Sequence, residues 1–275
     1  YKRQDQMGDK ADLQKESGGS GMRKRQAVLL LLCFMFLLTG IGVLLYPTWH
    51  AWQEEQKIHQ IVQSFRNRTQ ESAPQKPQLA SESTEVTETT TPYPELLEAM
   101  RAYNQDIWVD GQSGLCDPWS YQAPVFDLAE YGVPDGMVGI LTIPKMDLEL
   151  PIYLGATAEH LASGAAQLSQ TSMPIGGSNT NCVLAGHRGW YGALFFRHIE
   201  QLEVGDEMTI CNLWETLTYQ VVEIKVIEPN EVEEILVQPG RDLVTLLTCH
   251  PYGSGGRYRY VVYCERVGEW PTLVD

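Results

Sequence analysis

Thr245-Leu246-Leu247-Thr248-Cys249 runs into His250-Pro251-Tyr252-Gly253-Ser254-Gly255-Gly256 and then Arg257-Tyr258-Arg259. Alternation along 245–249 places Thr245, Leu247 and Cys249 on one face of a predicted strand, and Pro251 with the three glycines breaks that strand and turns the chain. A second strand, Tyr258 to Cys264, carries Arg259, Val261 and Tyr263 on one face. A hairpin-like return therefore brings the Arg259 guanidinium beside the Cys249 sulfur. A thiol with the ordinary pKa of ~8.5 is only slightly ionised at neutral pH, so use as a nucleophile requires a neighbouring cation or base. Arg259 supplies a fixed charge, or a hydrogen-bond donor toward a developing oxyanion, but it does not move protons.

The proton carrier is found upstream. Cys182-Val183-Leu184-Ala185-Gly186-His187-Arg188-Gly189 reads as a short apolar strand that delivers His187 into a glycine-flanked turn. His250 directly follows Cys249 and, as an adjacent strand residue, points to the opposite face, which reads as structural or exposed. His198 follows an apolar cluster and reads as part of a helix, and His50, His59 and His160 have no chemical company. The candidate catalytic set is Cys249, His187 and Arg259.

Working outward, residues 137–275 read as a barrel. Short strands are predicted over Val138–Ile143, Leu148–Tyr153, Asn181–Ala185, Glu207–Leu213, Leu217–Ile227, Leu243–Cys249 and Tyr258–Cys264, a density that implies a closed or nearly closed β-barrel. The intervals 157–169 and 193–200 read as helix and loop. Residues 94–136 are read as an N-terminal helix, Pro94 to Ile107 with Leu97, Met100, Tyr103 and Asn104 at helical spacing, followed by a loop. Residues 47–93 divide into a juxtamembrane helix over 47–70, with Ile58, Ile61, Val62 and Phe65 at helical spacing, and a Ser/Thr/Glu/Pro-rich tether over 71–93.

Residues 27–45 form an uncharged apolar run that would span ~28 Å as a helix, enough to cross a bilayer core. A transmembrane helix is accordingly expected over 27–46. Met22-Arg23-Lys24-Arg25 precedes it, so the positive-inside rule assigns residues 1–26 to a cytoplasmic tail and the rest to the outside. The alternative, a cleavable signal peptide, is disfavoured by the length of the run and the lack of an A-x-A site after it.

Residues 1–26 carry net charge +3, leaving −18 on the other residues of a chain whose total is −15. An acidic ectodomain disfavours nucleic-acid partners and helps to attract cationic ones, although plain solubility explains the same charge. Of the six cysteines, Cys33 falls in the membrane segment and Cys249 is the candidate nucleophile. Cys182, Cys211 and Cys264 read as buried free thiols, and Cys116 stands apart beside Asp117. No metal site and no cofactor is indicated.

The stretch TSMPIGGSNTNCVLAGH, 171–187, continuing RGWYGALFFRHIEQLEVGD, resembles the histidine region of sortases, and TLLTC with its downstream arginine resembles their signature. The likeness covers residues 94–267 and implies an eight-stranded sortase barrel, mainly β with short helices. It also implies a membrane-bound cysteine transpeptidase that cuts an LPXTG-like sorting signal between Thr and Gly and passes the acyl group to an amine. Asp117-Pro118-Trp119 resembles the lid of class C, pilin-polymerising sortases, which implies that Asp117 faces Arg259 and the Trp119 ring covers Cys249. Two features depart from that pattern. Class C members usually have a second hydrophobic segment after the catalytic domain, which residues 269–275 do not supply, so either a single anchor or a shortened chain is expected. The Cys–Arg loop is one residue longer than the family form, leaving Arg257 as a rival to Arg259; Arg259 is preferred because it lies within the alternating strand. The expected partners are LPXTG-type surface proteins or pilin subunits, an acceptor amine from a pilin lysine or a cell-wall precursor, and the membrane. A housekeeping sortase, a secreted cysteine protease and a non-enzymatic adhesin remain the competing readings.

Overall fold

The computed structural model describes residues 5–72, 91–115, 122–133, 135–189 and 194–268. Two compact units are resolved, residues 1–51 and 52–275. Helix α1, Asp5–Ser72, begins in the first and contains Pro47. Its stretch from Gln26 is the one helix among the described residues long and apolar enough to cross a membrane, its most apolar 18 residues having a mean hydropathy of 2.9. Val28, Leu30 and Phe36 on that stretch are exposed, as lipid-facing side chains are.

In the second unit the C-terminal turns of α1 realise the spacing read from sequence. Val62 and Phe65 are fully buried, with Ile58 and Ile61 packed at the margin of the same core. Arg66 pairs with Glu149, and Arg68 with Asp135 at 2.8 Å. Helix α2, Pro94–Asp110, extends three residues beyond the predicted end and stops at Gly111, whose N–H reaches the Ile107 carbonyl. Its buried face is Leu96, Met100, Asn104 and Ile107, so Leu96 rather than Leu97 faces inward. Asn104 earns its burial by accepting a 2.7 Å hydrogen bond from the Met173 N–H.

Eight strands close a barrel: β1 Met137–Ile143, β2 Leu148–Leu154, β3 Ala165–Gln167, β4 Thr180–Ala185, β5 Glu207–Asn212, β6 Thr216–Ile227, β7 Asp242–His250 and β8 Tyr258–Arg266. Around the barrel the order is β1-β2-β3-β4-β7-β8-β6-β5. The β2–β3 and β4–β7 pairs are parallel and the others antiparallel. Closure leaves no free edge for another chain to extend. β3 was expected to be helix and loop. It follows α3, Ala158–Ser163, the crossover helix that a parallel β2–β3 pair requires. The 193–200 interval forms, among its described residues, turns leading into a single 3₁₀ turn over Ile199–Gln201.

β7 lies between β4 and β8 and is buried from Asp242 through Thr248. Its even-numbered residues, such as Val244 and Leu246, face the main core with Met137, Ile140 and Leu150. The odd-numbered Leu247 belongs to a second apolar layer with Val183, Ala185, Val261, Leu115 and Ile235. A strand covered on both faces must satisfy its hydroxyls internally, and both threonines do so. Thr245 donates to Asn181 Oδ1 at 2.7 Å and Thr248 to the Gly186 carbonyl at 2.7 Å.

Candidate active site

Cys249 is the second-to-last residue of β7, where burial gives way to partial exposure. Directly opposite it on β8 stands Arg259, and residues paired in this way point to the same face. The Arg259 side chain is nearly fully buried, and its Nη1 donates to the carbonyls of Gly256 at 2.7 Å and Tyr258 at 3.2 Å. Arg257 is exposed in the turn, so Arg259 and not its rival occupies the place beside the sulfur. Gly256, with φ +85, lies close to both: a β-carbon there would be 3.1 Å from the Cys249 Sγ and 3.2 Å from the Arg259 Nη1.

His187 follows β4 by two residues. The parallel register that pairs Ala185 with Leu247 is extended by the Gly186 N–H bond to the Leu247 carbonyl at 3.1 Å, and His187 is the next residue, on the same side of the barrel end as the last residues of β7. Gly186 is required here for space, because a β-carbon would meet the Phe196 ring at 2.7 Å. Phe196 also donates its N–H to the His187 carbonyl at 3.0 Å, fixing the turn. The imidazole is half-buried, and that desolvation holds its pKa below the ordinary histidine value.

Asp117, Trp119 and Cys116 lie outside the described residues. The flanks of their segment are tied to the barrel. Gln112 donates to the Gln170 carbonyl at 2.9 Å and accepts from the Val237 N–H at 2.6 Å, while Gln122 donates its N–H to the Ala156 carbonyl at 3.2 Å. Leu115 is buried in the apolar layer that continues from Leu247.

His250 points away from Cys249 and contacts Arg188 at 2.9 Å and Glu200 at 3.3 Å. Neither Arg188 nor Glu200 was singled out from sequence; the only available signal was the adjacency of Arg188 to His187. Cys182 and Cys264 are buried free thiols with pKa values raised by desolvation, and Cys211 is a partly buried one. A cavity of about 480 Å³ lined by Phe126, Leu154 and His160 is lined by none of Cys249, His187 and Arg259.

The closed eight-stranded barrel thus pairs Cys249 with Arg259 across β7 and β8, with His187 two residues past the end of β4. The family profile described as the sortase domain matches residues 141–267. Sortase D of Bacillus subtilis (strain 168) is 33% identical over 131 residues, covering 47% of this chain and 63% of that protein. Sortase A of Bacillus anthracis is 30% identical over 132 residues, covering 48% and 60%. The match thus spans less than two thirds of either relative. Among solved structures, sortase C1 of GBS Pilus Island 1 superposes with a TM-score of 0.62 at 31% identity, covering 79% of this chain and 95% of that one. Sortase C-1 from Actinomyces oris gives 0.57 at 34% identity, covering 64% and 99%. Sortase C of Streptococcus pneumoniae gives 0.60 at 27%, covering 78% and 100%. The chain belongs to the sortase family, and these solved neighbours are sortases C, in line with the class C resemblance of its sequence.

Proposed function

We propose that the protein is a cysteine transpeptidase that cleaves an LPXTG-like sorting signal and joins the acyl fragment to a pilin lysine. The observation that carries this reading is the pairing of Cys249 with Arg259 across one ladder step, with β4, which leads into His187, running parallel beside β7. The Cys249 thiolate adds to the Thr carbonyl carbon of the signal, and Arg259 donates to the oxyanion that forms. The C–N bond to Gly then breaks, its electron pair leaves on nitrogen, and the His187 imidazolium supplies the proton. A thioester on Cys249 remains. The incoming lysine amine attacks it, loses a proton to His187, and expels the sulfur as an isopeptide bond forms.

Asp117 and Trp119 are read as a lid, Asp117 facing Arg259 and Trp119 covering Cys249. What supports this is that the flanks on either side, Gln112 and Leu115 before and Gln122 after, are held against the barrel. The proposed organisation is a cytoplasmic tail over 1–26, a single membrane span over 27–46, a helix and tether over 47–93, the helix and lid over 94–136, and an extracellular catalytic barrel over 137–275. The long apolar stretch of α1 and the Arg23-Lys24-Arg25 cluster before it support that orientation.

Mass spectrometry of the protein with an LPXTG-type peptide and a lysine-bearing pilin domain tests the proposal. A thioester at Cys249 followed by an isopeptide product is expected, and absence of any adduct, with wild type and with an Asp117→Ala, Trp119→Ala variant, would overturn it. Likeness to sortases A and D as well as C supports a second reading, transfer to a cell-wall precursor. Competition between the two acceptors separates them.

A further inference from the structure

Behind Cys249, on the face of β7 turned toward the barrel core, is a polar cluster that the reaction above does not use. Arg188, next in the chain to His187, is buried. Its Nη1 donates to the main-chain carbonyl of Cys249 at 3.2 Å and to His250 Nδ1 at 2.9 Å. Its Nη2 pairs with Glu200 at 2.7 Å, and its guanidinium lies 5.6 Å from the centre of the Tyr260 ring. His250 Nδ1 also lies 3.3 Å from Glu200, so the three side chains form one cluster.

The position of this contact gives it meaning. β4 and β7 are separate parallel strands, and their backbone ladder ends with the Gly186–Leu247 bond, short of the two residues that must cooperate. Past that bond, the Thr248 hydroxyl holds the Gly186 carbonyl and the Arg188 guanidinium holds the Cys249 carbonyl. Only the second joins the nucleophile's own peptide to the residue beside His187. A group kept solely for stability is expected to have its donors satisfied. The Arg188 Nε is instead buried with no hydrogen-bond partner among the described residues, while its terminal nitrogens are directed at Cys249, His250 and Glu200.

We propose that Arg188 is a positioning residue for the transfer reaction, fastening the Cys249 main chain to the His187 turn so that nucleophile and proton carrier keep one spacing through both half-reactions. Glu200 and His250 hold the guanidinium in place. The inference rests on the reading of Cys249 and His187 given above. Small displacements between reacting groups cost rate far more than affinity, so the effect falls on kcat.

The test uses the full-length protein in detergent, an LPXTG-type peptide and a lysine-bearing pilin domain. Arg188→Gln is expected to lower kcat by about 10- to 100-fold with KM little changed, and Arg188→Lys, which keeps the cation and one donor, to recover part of that loss. A folded Arg188→Gln protein with wild-type kcat, a loss confined to KM, or a Lys variant no better than Gln would each overturn the proposal. If Arg188→Gln does not fold, Glu200→Gln decides, since that side chain is half exposed: a several-fold fall in kcat at constant KM supports the tie, and an unchanged kcat refutes it. Failure of the underlying reading shows differently, as wild-type protein that forms no thioester at Cys249.

Discussion

A β-carbon at position 256 would crowd both the Cys249 sulfur and the Arg259 guanidinium, the two groups proposed to act on the substrate carbonyl. The φ of +85 there already disfavours any side chain, so Gly256→Ala both strains the turn and displaces those groups. Peptide cleavage by the Ala variant is expected to fall on the order of 10²-fold in kcat/KM, with the fold intact because the turn is mostly exposed. Cleavage within a few-fold of wild type would show that sulfur and guanidinium do not act on one atom. His187 yields a second prediction at this scale. Burial lowers its pKa below the ~6.5 of an unfolded chain, so the unfolded state binds its proton more readily. Its contribution to stability is therefore complete above ~6.5 and lost as pH falls through the folded value. Melting temperature should decline over that interval in wild type and decline less in His187→Gln; parallel curves would mean the imidazole is not desolvated.

Legibility tracks where the physics is local. Seven strands were readable because each is a run of apolar or alternating residues bounded by turn formers, and their ends moved by only one or two residues. β3 escaped because Ala165–Gln167 is too short to show a period, and its strand state comes from pairing with β2 and β4 across the fold. The Cys249–Arg259 pair was legible because one hairpin carries both. The placement of His187 required a parallel pairing between strands far apart in sequence, and only the family resemblance pointed to it. Arg188 showed only through its adjacency to His187 and Glu200 not at all, since a buried arginine and its partner leave no periodic trace. The clearest energetic prediction at this scale belongs to the end of α1. Phe65 is fully buried against the barrel, so Phe65→Ala should cost about 3–5 kcal/mol, whereas the neighbouring exposed Ser64→Ala should cost within about 0.5 kcal/mol. Chemical denaturation compares the two, and equal small losses would detach α1 from the folded unit.

Over the whole chain, charge is divided unevenly, with net +3 before the membrane segment and −18 after it. An acidic surface raises the local concentration of cationic partners, and the proposed pilin acceptor would approach through its lysine. The negative field opposes formation of a thiolate at Cys249, which makes the buried Arg259 cation beside it more consequential. These two effects separate experimentally, because the approach of a partner acts over long distances and Arg259 acts across a single ladder step. Raising ionic strength from about 0.02 M to 0.5 M shortens the screening length several-fold, so transfer to a lysine-bearing pilin domain should slow in kcat/KM. Alkylation of Cys249 by the uncharged reagent iodoacetamide should change much less, since the charge that governs it is close and shielded from salt. A transfer rate indifferent to salt would reduce the acidic surface to a solubility device. A salt-sensitive alkylation rate would instead mean that the whole field, and not Arg259, sets the reactivity of the thiol.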